Sequence, residues 1–222
     1  ILNATISLSA YATIEPLTEN NIIVTALDRN EVQQYDWMTE LPVDGKLDLL
    51  KGVYNRIQKD HPFTLPGLRL STFVDAPAGS GLGTSSTLVV AILGAFVEML
   101  KLPMKEYQVA QYAYDIERND LHLAGGKQDQ YAATFGGVNF MEFYHNDKVI
   151  VNPLRIKPEY LHELKNNLVL YFTATSRESA AIIKEQVKNV EDKNEKSIEA
   201  MHHLKEQAWM MKEALLQGNL NE

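Results

Sequence analysis

The chain has 222 residues, is 45% hydrophobic and carries a formal net charge of −8 with no cysteine. Such apolar content supports one large domain or slightly more, the negative charge opposes nucleic acid and anionic membranes as partners, and the lack of thiols excludes disulfides, thiolate zinc sites and cysteine nucleophiles. No apolar run reaches the ~18 residues of a membrane span, and no basic leader precedes a cleavage site, so a cytoplasmic protein is expected.

In chain order, the alternation from Leu2 to Tyr11 reads as a strand already under way, which suggests sequence missing upstream. Residues 1 to about 35 predict two or three strands in a meander, with turns at Glu19–Asn21 and Asp28–Asn30. Leu47, Leu50, Val53, Tyr54 and Ile57 recur at helical spacing within Lys46–Gln58, whose polar face is expected in solvent. Gly67–Val74 alternates as a strand and runs into a glycine-rich stretch; Ser86–Leu100 then reads as an apolar helix ending near Pro103. A further helix is predicted over Met104–Arg118. Asn139–Phe143 and Val149–Val151 form a hairpin turning at Asn146-Asp147, and the apolar run Asn167–Phe172 reads as a buried strand. The remainder is charged and helical, with Ile198, Met201, Leu204, Ala208, Met211 and Leu215 on one face before Gly218.

The chemistry concentrates in Pro77-Ala78-Gly79-Ser80-Gly81-Leu82-Gly83-Thr84-Ser85-Ser86. Three glycines at alternate positions allow positive φ and let backbone N–H groups approach a polyphosphate. The following helix start adds unpaired N–H donors and partial positive charge, and three hydroxyls there can cap, donate to phosphate or bind Mg²⁺. A capped strand-to-helix turn would explain a bare glycine turn; three glycines plus three hydroxyls ask for more. The spacing fits neither a P-loop, since Gly126-Lys127 is followed by Gln128, nor the G-x-G-x-x-G of a dinucleotide turn.

This stretch resembles the phosphate-binding motif P-x-x-x-G-L-G-S-S-A of the GHMP kinases, with Thr84 and Ser86 as departures. The resemblance implies ATP and Mg²⁺ as cofactors, with Pro77, Gly79, Ser80, Gly81, Leu82, Gly83, Thr84, Ser85 and Ser86 around the nucleotide phosphates. It also implies Ser85 and Glu117 as metal ligands and Asp129 as the catalytic carboxylate, Glu117 and Asp129 having the family's spacing. The run from Gly125 to Phe143 is similar to the D-glycero-D-manno-heptose 7-phosphate kinase branch. There Lys127 would assist catalysis, and Gly125, Gly126, Gln128, Thr175 and Arg177 would meet the sugar phosphate.

The implied fold is α+β, the two-domain GHMP kinase fold. Residues 1–160 would be the ribosomal protein S5 domain 2-like nucleotide domain without its first motif, and 161–222 the start of a truncated, ferredoxin-like C-terminal domain. The implied reaction is ATP-dependent phosphorylation of a sugar phosphate at its anomeric hydroxyl; the alternatives are a kinase for fucose or galactose, or a silent nucleotide-binding sensor. The implied partners are the small-molecule sugar phosphate and ATP, without nucleic acid or membrane, and a homodimer is allowed.

Overall fold

The structure, a computed structural model, describes residues 1–77, 79–172 and 179–220. The chain divides into two compact units, Ile6–Thr134 and a second made of Ile1–Thr5 with Phe135–Glu222. The first strand, β1 (Leu2–Ala4), belongs to the second unit.

In the first unit a four-stranded sheet holds β2 (Ala10–Leu17), β3 (Asn21–Ala26), β4 (Glu31–Asp36) and β5 (Gly67–Val74) in the order β2-β5-β3-β4. The expected meander therefore survives only as the β3–β4 hairpin. β5 inserts between β2 and β3, antiparallel to the first and parallel to the second, with Leu70 opposite both Ile14 and Val24. From Leu68 onward it alternates, with Leu68, Leu70 and Thr72 buried and Arg69 and Phe73 exposed, while β2 and β4 alternate between half-buried and exposed positions as edge strands do.

Helices α1 (Asp48–Asp60), α2 (Thr84–Leu100) and α3 (Glu106–Asp115) accompany that sheet. Its core joins Ile22, Val24, Leu68 and Leu70 of the strands to Val53, Tyr54 and Ile57 of α1, Val89, Ile92, Leu93 and Phe96 of α2, and Ala113 of α3. Each such large apolar side chain contributes roughly 1.5–3 kcal/mol on leaving water. Two residues of α1, Lys51 and Gln58, are buried against the expectation of a solvated polar face. Lys51 is wholly buried, its ammonium 2.5 Å from Asp44 and 3.2 Å from Asp48. Burial opposes its charge, but the two carboxylates outweigh that and raise its pKa.

Beyond Asp115 the helix widens into a π turn over Ile116–Asp120, closed by Leu121 N–H donating to Ile116 C=O at 2.9 Å. A short helix, α4 (Gln128–Phe135), ends the unit.

In the second unit β1 pairs with β6 (Val138–Phe143), and β6 with β7 (Val149–Pro153), all antiparallel. The β6–β7 turn falls where expected, with Asp147 at φ 60°. Three helices follow: α5 (Pro158–Asn167), α6 (Ser179–Glu191) and α7 (Glu195–Gln217). The Asn194 side chain caps α7 by accepting from Ser197 N–H at 3.2 Å, and Gly218 at φ 81° ends it. The strand expected at Asn167–Phe172 does not form: Asn167 closes α5, and Leu168–Phe172 are exposed with no regular structure, Val169 at 85%. An apolar run becomes a strand only where another strand supplies hydrogen-bond partners, and among the described residues none pairs with it. Among the described residues no helix is long and apolar enough to cross a membrane.

Arg56 ties α1 to the π turn by ion pairs to Asp60 at 2.6 Å and Asp120 at 2.8 Å, while the Tyr112 hydroxyl donates to Asp60 at 2.8 Å. Burial pushes the Asp60 carboxyl up, but these hydrogen bonds outweigh it and hold the pKa below the ordinary carboxylate value. A lowered folded-state pKa gives stability that is present above the unfolded value and lost as pH falls through the folded one. Asp60→Asn is therefore expected to cost about 1 kcal/mol near neutrality. The difference from wild type should shrink below about pH 4, as urea unfolding at a series of pH values will show.

Candidate functional site

The glycine-rich loop lies between β5 and α2. Asp75 fixes its entry: the Asp75 carboxylate accepts from Ser9 N–H at 2.9 Å and Asp75 N–H donates to Ser9 C=O at 2.9 Å. Gly79, Gly81 and Gly83 all have positive φ, at 72°, 77° and 69°, as the sequence demanded. Pro77, Gly79, Gly81 and Leu82 are exposed, and Ser80 and Thr84 are half-buried with their hydroxyls 3.3 Å apart; Ala78 lies outside the described residues. Ser85 is exposed in the first turn of α2, whereas Ser86, one residue on, is buried.

Ser86 points at the next component. Its hydroxyl donates to Glu117 Oε1 at 3.1 Å, and the other carboxylate oxygen accepts from the Gln130 amide. The π turn positions Glu117, a distortion frequent at functional sites. The carboxylate is only 1% exposed, and the Arg118 guanidinium is 3.9 Å away. Glu117 thus reaches the start of α2 through Ser86 rather than Ser85.

Asp129 sits in the first turn of α4, where the helix N-terminus favours a negative charge. It lies against the loop: a Cβ built on Gly83 would be 3.1 Å from Asp129 Cγ. Residues 46 apart are thus brought together by one missing methyl group.

The segment between the two acids is held by Arg118, which donates to Leu123 C=O and Gly126 C=O, each at 3.2 Å. Gly125 is required there, since a Cβ would fall 2.2 Å from Arg118 Nη2. Gly126 and Gln128 are exposed, and the Lys127 ammonium lies 4.7 Å from the Tyr114 ring centroid, a cation–π arrangement. Thr175 and Arg177 lie outside the described residues.

The sequence reading missed Gln130, Arg118 and Tyr114 as parts of this site. The available signal for Gln130 was its place directly after Asp129.

The arrangement has the chemistry of a phosphate cradle: exposed positive-φ glycines, a helix N-terminus, and a carboxylate facing the same loop. It also fits a hard divalent cation. Glu117, Ser85 and Ser86 offer oxygen donors only, the buried carboxylate has the Arg118 guanidinium at 3.9 Å as an ionic partner, and Gln130 Oε1 is buried without a hydrogen bond. Among the described residues no cluster of three or more histidine, cysteine or acidic ligands forms.

Residues 48–137 match the family of the GHMP kinases N terminal domain, and that part of the chain belongs to it. It is 51% identical over 219 residues to the D-glycero-alpha-D-manno-heptose 7-phosphate kinase of Campylobacter jejuni, covering 99% of this chain and 64% of that protein. The crystal structure of a D-glycero-D-manno-heptose 1-phosphate kinase from Bacteriodes thetaiotaomicron superposes with a TM-score of 0.86 at 49% identity, over 98% of this chain and 64% of that one. The chain thus spans a little under two thirds of the length of both. The Methanococcus jannaschii mevalonate kinase, with a TM-score of 0.65 at 17% identity over 97% of this chain and 70% of that one, shares the fold alone. The α+β GHMP kinase fold expected from the sequence is the fold observed.

Gly83 supplies a structural test. Gly83→Ala would force a side chain into left-handed space and against Asp129, and is expected to destabilise by about 1–3 kcal/mol. Gly94→Ala, in mid-helix where an added methyl meets nothing within 4 Å, should be neutral or stabilising. Urea midpoints of the two variants measure the contrast.

Proposed function

We propose that this chain carries the nucleotide-binding and catalytic core of an ATP-dependent sugar phosphate kinase of the cytoplasm. Its acceptor is D-glycero-D-manno-heptose 7-phosphate, phosphorylated at the anomeric hydroxyl to the 1,7-bisphosphate. The observation that carries the reading is Asp129 packed against Gly83 of the glycine loop. The heptose phosphate named for both relatives of about 50% identity supports the acceptor class. In this reading residues 161–222 open the second domain, and Thr175 and Arg177 meet the acceptor.

In the reaction, the backbone N–H groups of the loop and the start of α2 hold the ATP phosphates. Asp129 accepts the proton of the anomeric hydroxyl as that oxygen bonds to the γ-phosphorus and the bond to the ADP oxygen breaks. Lys127, steadied over Tyr114, adds positive charge near the transferring group. Glu117, with Ser85 and Ser86, would hold Mg²⁺, which when bound neutralises charge on the phosphate oxygens. Gly125, Gly126 and Gln128 line the acceptor side, their path fixed by Arg118.

Asp129→Asn tests the assignment. Turnover, followed as ADP release with the heptose 7-phosphate, should fall roughly 10²–10⁴-fold, while ATP affinity by calorimetry stays at the wild-type value. Undiminished turnover would refute the role of Asp129, and faster turnover on fucose or galactose would reassign the acceptor.

A further inference from the structure

Gln130 follows the proposed catalytic carboxylate directly, yet it points elsewhere. Asp129 is half-buried against Gly83, while Gln130 is wholly buried. Successive residues on a helix diverge by about 100°, so α4 presents the acid to the loop and the amide to the interior.

The polarity of that amide is fixed by its neighbours. A carboxylate can only accept, so the Gln130 end facing Glu117 is Nε2. Its two hydrogens go to Glu117 Oε2 and to Ser86 Oγ, the latter at 3.1 Å. Ser86, having accepted, donates its own hydrogen to Glu117 Oε1. The three side chains close a ring in which every polar hydrogen has one acceptor and both carboxylate oxygens are fixed. The ring joins three elements: the first turn of α2, the π turn and α4.

The arrangement has a cost. Gln130 Oε1 is left buried without a hydrogen-bond partner, which disfavours folding by about 1–3 kcal/mol. What the amide provides is position: it fixes Glu117 relative to Asp129, its own neighbour in sequence.

We propose that Gln130 is a positioning residue which, by holding Glu117 and Ser86 in a closed hydrogen-bonded ring, sets the site's affinity for its divalent cation and couples it to Asp129. This rests on the kinase reading above. Outer partners that orient a metal-binding carboxylate typically change affinity or activity by 10–100-fold when removed.

Gln130→Met keeps the length and removes the donors. Manganese serves as the probe, its affinity in the presence of ADP measured by electron paramagnetic resonance. The dissociation constant should rise roughly 10–100-fold, kcat should fall in parallel, and KM for the sugar phosphate should stay unchanged. A merely structural role would lower the melting temperature and leave manganese affinity at the wild-type value, which overturns the proposal. If Gln130→Met does not fold, Gln130→Asn, which keeps the amide but is one methylene too short to reach both Glu117 and Ser86, decides: it should weaken manganese binding in the same direction, and wild-type affinity overturns the proposal. Should Asp129→Asn remain active, the kinase reading itself fails. An inactive Asp129→Asn beside a Gln130→Met of normal manganese affinity and kcat removes only the positioning role.

Discussion

The buried carboxylate of Glu117 organises the site. Withdrawing a charge from water costs several kcal/mol, and here the compensation is two neutral donors and one guanidinium 3.9 Å away. Hydrogen bonds to a charged group contribute about 1.5–3 kcal/mol each net, so the two donors offset a large part of that cost and the rest stays with the folded state. An α-helix start, a π turn and the first turn of another helix all converge on it. That convergence makes sense if the remaining compensation arrives with a cation and the phosphates it neutralises.

Two glycines keep the surrounding parts in place by what they lack. At Gly83 the missing Cβ admits Asp129, and the left-handed backbone aims the loop into α2. At Gly125 it admits the Arg118 guanidinium, which then grips the backbone on both sides. The acid and the segment leading to it are therefore set by close backbone approach, not by long side chains free to rotate. Such placement loses little entropy on binding, because the ordering has been done in folding.

What could be read in the sequence follows from what is local. Helical spacing revealed α1 and α2, alternation revealed β5, and turn residues revealed the β6–β7 hairpin, because each signal lies within about a dozen residues. The glycine loop was legible because positive φ is a demand that few residues meet. Pairing was not legible: no local pattern says that β5 enters between β2 and β3, or that Leu168–Phe172 lacks a strand partner among the described residues. Nor was the phase at the start of α2. Ser85 and Ser86 are chemically alike, and about 100° of helical rotation decides which one reaches Glu117. The π turn is likewise invisible, since one wider turn leaves no period. Lys51 was misread because a lysine in an amphipathic pattern is placed outside by default, whereas here the buried side chain reaches the more exposed Asp44 and Asp48.

The same distinction separates what the fold provides from what chemistry requires. The loop, Ser86, Glu117, Arg118, Lys127, Asp129 and Gln130 all fall within Ile6–Thr134, so one core fixes their mutual positions. Phe96 and Ile92 secure α2, Ile116 begins the π turn, and Arg56 braces its far end at Asp120. Packing of this density resists small displacements, and sub-ångström precision at reacting atoms is what phosphoryl transfer asks of a protein that contributes little covalent chemistry. Elements that seem remote from the loop are thus part of its geometry. A carboxylate held below the surface, with its neighbours locked by core residues, is accurate because it is buried, and the energetic cost of burying it is inseparable from that accuracy.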